Sequence, residues 1–71
     1  MSEEFPFSAM HRLMKRAGAE RVGEDAASEL SKALDTIGFK ISKQAVEMAA
    51  HAGRKTVKAS DVQISARQFL E

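Results

Sequence analysis

The sequence predicts an all-α chain in which one long helix stands between two short ones. Three observations lead there. Apolar residues recur at spacings of three and four along most of the chain, the period of a helix and not of a strand. Gly18 and Gly53 each stand just past such a run, where a left-handed residue stops a helix. Glycine occurs only 4 times and proline once, while 44% of residues are hydrophobic, a composition suited to a helical globular chain.

The first short helix follows Pro6 and Ser8. Met10, Leu13, Met14 and Ala17 share one face. Ser8 is the expected cap and Gly18 the expected stop, giving about 10 residues. Residues 1–7 are expected to be a flexible N-terminus to a single domain spanning 1–71.

The central helix opens on Glu24 and Asp25, acids placed at its positive end. Ala27, Leu30, Leu34, Ile37, Ile41, Ala45, Met48 and Ala52 form its apolar stripe, and Gly53 ends it. Its 29 residues, Glu24 to Ala52, span about 43 Å. Gly38, near its centre, costs roughly 1 kcal/mol against alanine, which close approach by another helix would explain. The last helix runs from about Ala59 to Leu70 with Val62, Ala66 and Phe69 as its stripe. Its start has two readings. Ser60 caps it, or Lys58 sits at the cap with Asp61 accepting from the first turn.

A chain of 71 residues makes one domain at most and buries a modest core. Two helices of about 15 Å cannot cover an apolar stripe of about 43 Å. The direct solution is a second copy, with the long helices crossing. There is no cysteine, hence no disulfide and no thiolate site. His11 and His51 are isolated, so no metal is expected. No catalytic constellation and no phosphate-binding glycine loop occur, so neither an enzyme nor a cofactor is expected. No run reaches the roughly 20 apolar residues of a membrane span, and the acidic N-terminus is unlike a signal peptide. The expected location is the cytoplasm.

The net charge is +1, but the charge is unevenly spread. Arg12, Lys15, Arg16 and Arg21 against Glu20 give residues 12–21 a charge of +3, and Arg54, Lys55 and Lys58 give residues 54–58 another +3. The rest holds four bases and nine acids, or −5. The patches also align with each other. Ala17-Gly18-Ala19-Glu20-Arg21-Val22 matches Ala52-Gly53-Arg54-Lys55-Thr56-Val57 at an offset of 35, with Arg21 opposite Thr56. Each half thus reads helix, glycine stop, short extended segment, helix. Arg21-Val22 and Thr56-Val57 are too short for a hairpin and would pair with each other, within or between chains. Lys32, Lys40 and Lys43 read as a solvated helix face.

On Ala17-Gly18-Ala19-Glu20-Arg21-Val22 and His51-Ala52-Gly53-Arg54-Lys55-Thr56-Val57-Lys58-Ala59, with Asp61 shortly after, the chain resembles the small tail-less archaeal histones. The resemblance implies a histone fold and a handshake homodimer, in which the first loop of one copy lies beside the second loop of the other. Arg21 would then enter a minor groove of double-stranded DNA and Thr56 would position it. Arg12, Lys15, Lys55 and Lys58 match phosphate-contacting positions, and Arg54 and Asp61 match a salt bridge that braces the second loop. Met48, His51 and Asp61 fall where neighbouring dimers meet, so higher oligomers on DNA, or a heterodimer with another histone, are implied.

Three positions depart from the pattern. Gly23 stands where a serine cap is usual. Phe39 stands where a charge is common and would be either a contact or buried. Leu70-Glu71 ends in acid where relatives are often basic.

The expected function is architectural: binding, bending or wrapping double-stranded DNA with little sequence specificity, associated with the chromosome. Arg12, Lys15, Arg16, Arg21, Arg54, Lys55, Thr56 and Lys58 are the candidate DNA-binding residues. Backbone N–H groups near Gly23 and Ala59 would add contacts. The alternative is a histone-fold subunit of a transcription-related heterodimer, acting mainly through protein contacts.

Overall fold

The computed structural model describes residues 6–70. Among them are three helices and no strand: α1 (Phe7–Arg16), α2 (Glu24–His51) and α3 (Ala59–Leu70). The class and the short–long–short order are those the sequence predicts. The chain divides into two compact units, Met1–Thr36 and Ile37–Glu71. Of the segment expected to be a flexible N-terminus, residues 1–5 lie outside the described residues, and Phe7 already belongs to α1. Glu71 also lies outside them.

In the first unit, α1 starts earlier than its sequence suggests. Pro6 is the cap residue, extended at φ −63° and ψ 144°, and no side chain caps the helix. Ser8 is therefore not the cap. Proline's fixed φ sets the entry, and its carbonyl accepts the Met10 N–H at 3.2 Å. Lys15 and Arg16 occupy the last turn, where cations favour the negative helix end. Gly23 caps α2 with its carbonyl alone, accepting the Ala27 N–H at 3.0 Å. Met10, Ala27 and Ser31 are buried, with Met14, Leu30 and Leu34 half-buried.

In the second unit, the last turns of α2 meet α3. The Ser65 hydroxyl donates to Met48 Sδ at 3.5 Å, and Gln44 Nε2 donates to Gln68 Oε1 at 3.0 Å. Ala45, Ala49, Asp61 and Ser65 are buried. α3 begins on Lys58: its N–H donates to Asp61 Oδ2 at 2.8 Å, and its carbonyl accepts the Asp61 and Val62 N–H groups. This is the Lys58–Asp61 start, not the Ser60 one.

The buried face of α3 differs from the expected stripe. Val62 is 42% exposed and Phe69 38%, while the inward residues are the polar pair Asp61 and Ser65. Within the single chain, the inward positions of α3 are held by hydrogen bonds, Asp61 to Arg54 and Ser65 to Met48. Ile37, Val57, Ile64 and Leu70 are likewise exposed. Among the described residues, a Cβ at Gly38 would meet nothing within 4 Å beyond the helix's own backbone. The close approach suggested by its sequence position is not made by the described residues.

Candidate nucleic-acid interface

The repeat seen in the sequence becomes a repeated helix stop. After α1, Gly18 N–H donates to the Lys15 carbonyl at 3.0 Å and Ala19 N–H to the Met14 carbonyl at 3.0 Å. After α2, Gly53 N–H donates to the Ala50 carbonyl at 2.9 Å and Arg54 N–H to the Ala49 carbonyl at 2.9 Å. Both ends use the same pair of bonds, which returns two orphan carbonyls to partners. The geometry requires a left-handed residue, and the two glycines supply it at φ 115° and 75°. Each stop turns the chain sharply into a short non-helical segment; the first carries Arg21 and the second Arg54, Lys55 and Lys58, while Arg12, Lys15 and Arg16 lie on α1.

In the unit Met1–Thr36, Arg12 and Arg16 are exposed on α1 and Arg21 is exposed on the loop that follows it. Lys15 is exposed but bent back: its Nζ donates to the Glu20 carbonyl at 2.7 Å. That bond holds the loop against the end of α1 and leaves the ammonium two further donors. Arg21 precedes the start of α2, where free N–H groups and the acids Glu24 and Asp25 lie.

The second loop, in the unit Ile37–Glu71, is built around Asp61. Arg54 grips this carboxylate with both terminal nitrogens, Nη1 to Oδ2 at 2.9 Å and Nη2 to Oδ1 at 3.0 Å. Arg54 Nη1 also donates to the Thr56 carbonyl at 2.9 Å. The carboxylate side chain is 3% exposed and the guanidinium 28%. Asp61 is therefore pulled down to about 2 from the ordinary 3.8, first by the Arg54 hydrogen bond and then by the Lys58 N–H. The same bond raises Arg54, which stays charged.

One carboxylate thus fixes three parts of the loop: Arg54, Lys58 and, through Arg54, the Thr56 backbone. Lys55, Thr56 and Lys58 remain exposed on this frame. Arg54 is held inside it, half-buried, so its first role is to brace. Counting Asp61, the patch carries +2 and not +3.

The three positions assigned to contact between dimers are not alike. Met48 and His51 line one cleft of about 570 Å³ with Gln44, Glu47, Ala52 and Gln68. His51 is exposed, and its Nδ1–H donates to the Glu47 carbonyl at 3.0 Å. Asp61 is buried and bonded to Arg54 and Lys58, not to His51. The Gln44–Gln68 bond and the Lys15–Glu20 bond had no sequence signal. One joins residues 24 apart on two helices, and the other uses a backbone carbonyl.

The family description "Histone-like transcription factor (CBF/NF-Y) and archaeal histone" matches residues 3–65. One of the subunits of the archaeal histone HAN1 from Thermococcus zilligii is 48% identical over 64 residues, 90% of this chain and 96% of the relative. A probable archaeal histone 3 from Methanocaldococcus jannaschii is 42% identical over 64 residues, with the same two coverages.

Proposed function

The chain belongs to the family of histone-like transcription factors and archaeal histones, and from that premise we propose that it packages double-stranded DNA as a handshake homodimer. The dimer grips the phosphate backbone, bends or wraps the duplex with little sequence preference, and associates with further dimers along it.

The observation that carries this reading is the repeated glycine-stopped loop. Two segments with the same backbone bonds each present exposed cationic side chains next to a helix start, Arg21 before α2 and Lys55 and Lys58 before α3. Arginine and lysine neutralise phosphates and release counterions, and neither requires a base edge. Arg21 is the groove-entering residue and Thr56 its neighbour across the dimer, with Arg12, Lys15, Arg16, Lys55 and Lys58 supplying charge around them. Arg54 contributes mainly by holding Thr56 and the Asp61 carboxylate, which in turn holds the Lys58 N–H. Met48 and His51 serve contact between dimers. Asp61 serves the loop brace first.

Dimerisation is supported by what one copy leaves uncovered. Leu13, Ile37, Val62 and Phe69 are each 38–42% exposed, all on stripes of helical period. A second copy laid along these stripes would bury them. No helix among the described residues is long and apolar enough to cross a membrane. The reading places the protein on the chromosome in the cytoplasm, as one histone-fold domain.

The second reading is a heterodimer, with another histone or in a transcription complex. The matched family includes transcription factors, and one relative is named as one of several subunits. Two intact basic loops favour direct DNA contact over a purely protein-binding role. Nuclease digestion of DNA bound by the purified protein tests the proposal. Protected fragments in a regularly stepped ladder are expected. No protection at low salt, from a chain that is folded and dimeric, would overturn it.

A further inference from the structure

The outer side of α2 carries apolar residues that the dimer stripe does not use. Phe39 is 66% exposed and Val46 55%. With Ser42, Lys43 and Glu47 they line a shallow groove of about 390 Å³. At 100° per residue, Phe39 and Val46 lie about 145° round the helix from the centre of the stripe running from Ala27 to Ala52. One helix cannot bury both faces against the same partner. A phenylalanine two-thirds exposed on the polar side of a helix is also costly to leave in water.

The charges beside this patch say what fits it. Phe39 and Val46 are one heptad apart, and Lys40 and Glu47 are one heptad apart on the neighbouring flank. A second α2 laid antiparallel about a two-fold axis near Ser42 and Lys43 sets Phe39 against the partner's Val46, and the converse. The same axis brings Lys40 near the partner's Glu47, again twice, with an offset of about 3 Å along the helix that both long side chains can span. A surface whose apolar pair and ion pair are both exchanged by one two-fold operation is self-complementary, the property of an isologous contact.

We propose that this face joins two copies from different dimers, outer α2 against outer α2. The contact is small, well below the roughly 1,200 Å² of a stable interface, so it is weak in free solution. Copies held on DNA are at high effective concentration, where a weak contact links neighbouring or separate duplexes.

Sedimentation equilibrium of the full chain without DNA tests this independently of any DNA reading. Wild type should associate beyond the dimer, with a dissociation constant on the order of 10^-4 to 10^-3 M. Phe39→Ser should weaken that step at least tenfold and leave thermal unfolding and the dimer unchanged. Lys40→Glu alone should weaken it, and Lys40→Glu with Glu47→Lys should restore it. Three results would overturn the proposal: no association beyond the dimer by wild type at about 1 mM, a Phe39→Ser variant that loses the dimer itself, or a charge swap that fails to rescue.

Discussion

Replacing Arg21 by alanine separates a phosphate-gripping residue from a structural one. The structure gives the count on which the magnitude depends. Arg12, Arg16, Arg21, Lys55 and Lys58 are exposed, Lys15 is partly held by Glu20, and Arg54 is committed to Asp61. Two copies then offer about ten free cations. If about eight meet phosphates, the slope of log affinity against log salt is near −7, at 0.9 per contact. Between 50 and 200 mM salt that is a loss of roughly ten-thousandfold.

Arg21→Ala removes one contact per copy, so the slope should fall to about −5 and the loss over the same range to about a thousandfold. Fluorescence anisotropy on a labelled duplex across salt gives both slopes, and circular dichroism checks the fold. Lys32→Ala is the control. Lys32 pairs with Glu29 at 3.6 Å on an exposed helix face, and its slope should match wild type. An Arg21→Ala slope equal to wild type would refute the assignment. Loss of helix in that variant would make Arg21 structural first.

The remaining predictions concern the frame. Gly53→Ala places a side chain at φ 75° with nothing within 4 Å of its Cβ, so the cost is purely conformational, about 1–2 kcal/mol per chain. Gly53→Asn should cost less, because asparagine tolerates the left-handed region, and thermal unfolding of both variants decides it. The pH dependence follows from Asp61, whose folded value lies below its unfolded one. Its contribution is present above about 4 and is lost as pH falls towards about 2. The gap in melting temperature between wild type and Asp61→Asn should therefore be wide at pH 6 and nearly closed at pH 2; a constant gap refutes the pairing. Val62→Lys should split the dimer in sedimentation, whereas on a monomer a change at this 42% exposed site would move stability by under about 0.5 kcal/mol.

How much was legible depended on the range of each interaction. Helix period and glycine stops are local, so α2 and both stops could be read to within a residue. The start of α3 was legible as a pair of options because its capping carboxylate lies three residues from Lys58. The start of α1 was misread. Ser8 has the right chemistry for a cap, but Pro6 fixes the chain direction two residues earlier. The inward face of α3 was also hidden. Within the single chain Asp61 and Ser65 are buried against Arg54 and Met48, partners contributed from outside the helix, and periodicity within α3 does not show them. Among candidate site residues, the charge excess marked the loops, but charge alone could not separate Arg54, which braces, from Lys55 and Lys58, which are free.

That separation bears on why a loop proposed to hold an anion should contain a buried carboxylate. Asp61 lowers the patch charge by one, which by itself weakens attraction to phosphate. Yet lysine and threonine side chains on an unheld loop would have to be ordered at the moment of binding, and that ordering opposes affinity. Asp61 orders the backbone beforehand, through Arg54 to Thr56 and directly to the Lys58 N–H. The first loop uses a lighter device, the Lys15 bond to the Glu20 carbonyl, which consumes no charge. The two loops are alike in their helix stops and unlike in their bracing. The charge excess first visible at residues 54–58 is thus better understood as two exposed cations on a hydrogen-bonded frame than as three free ones.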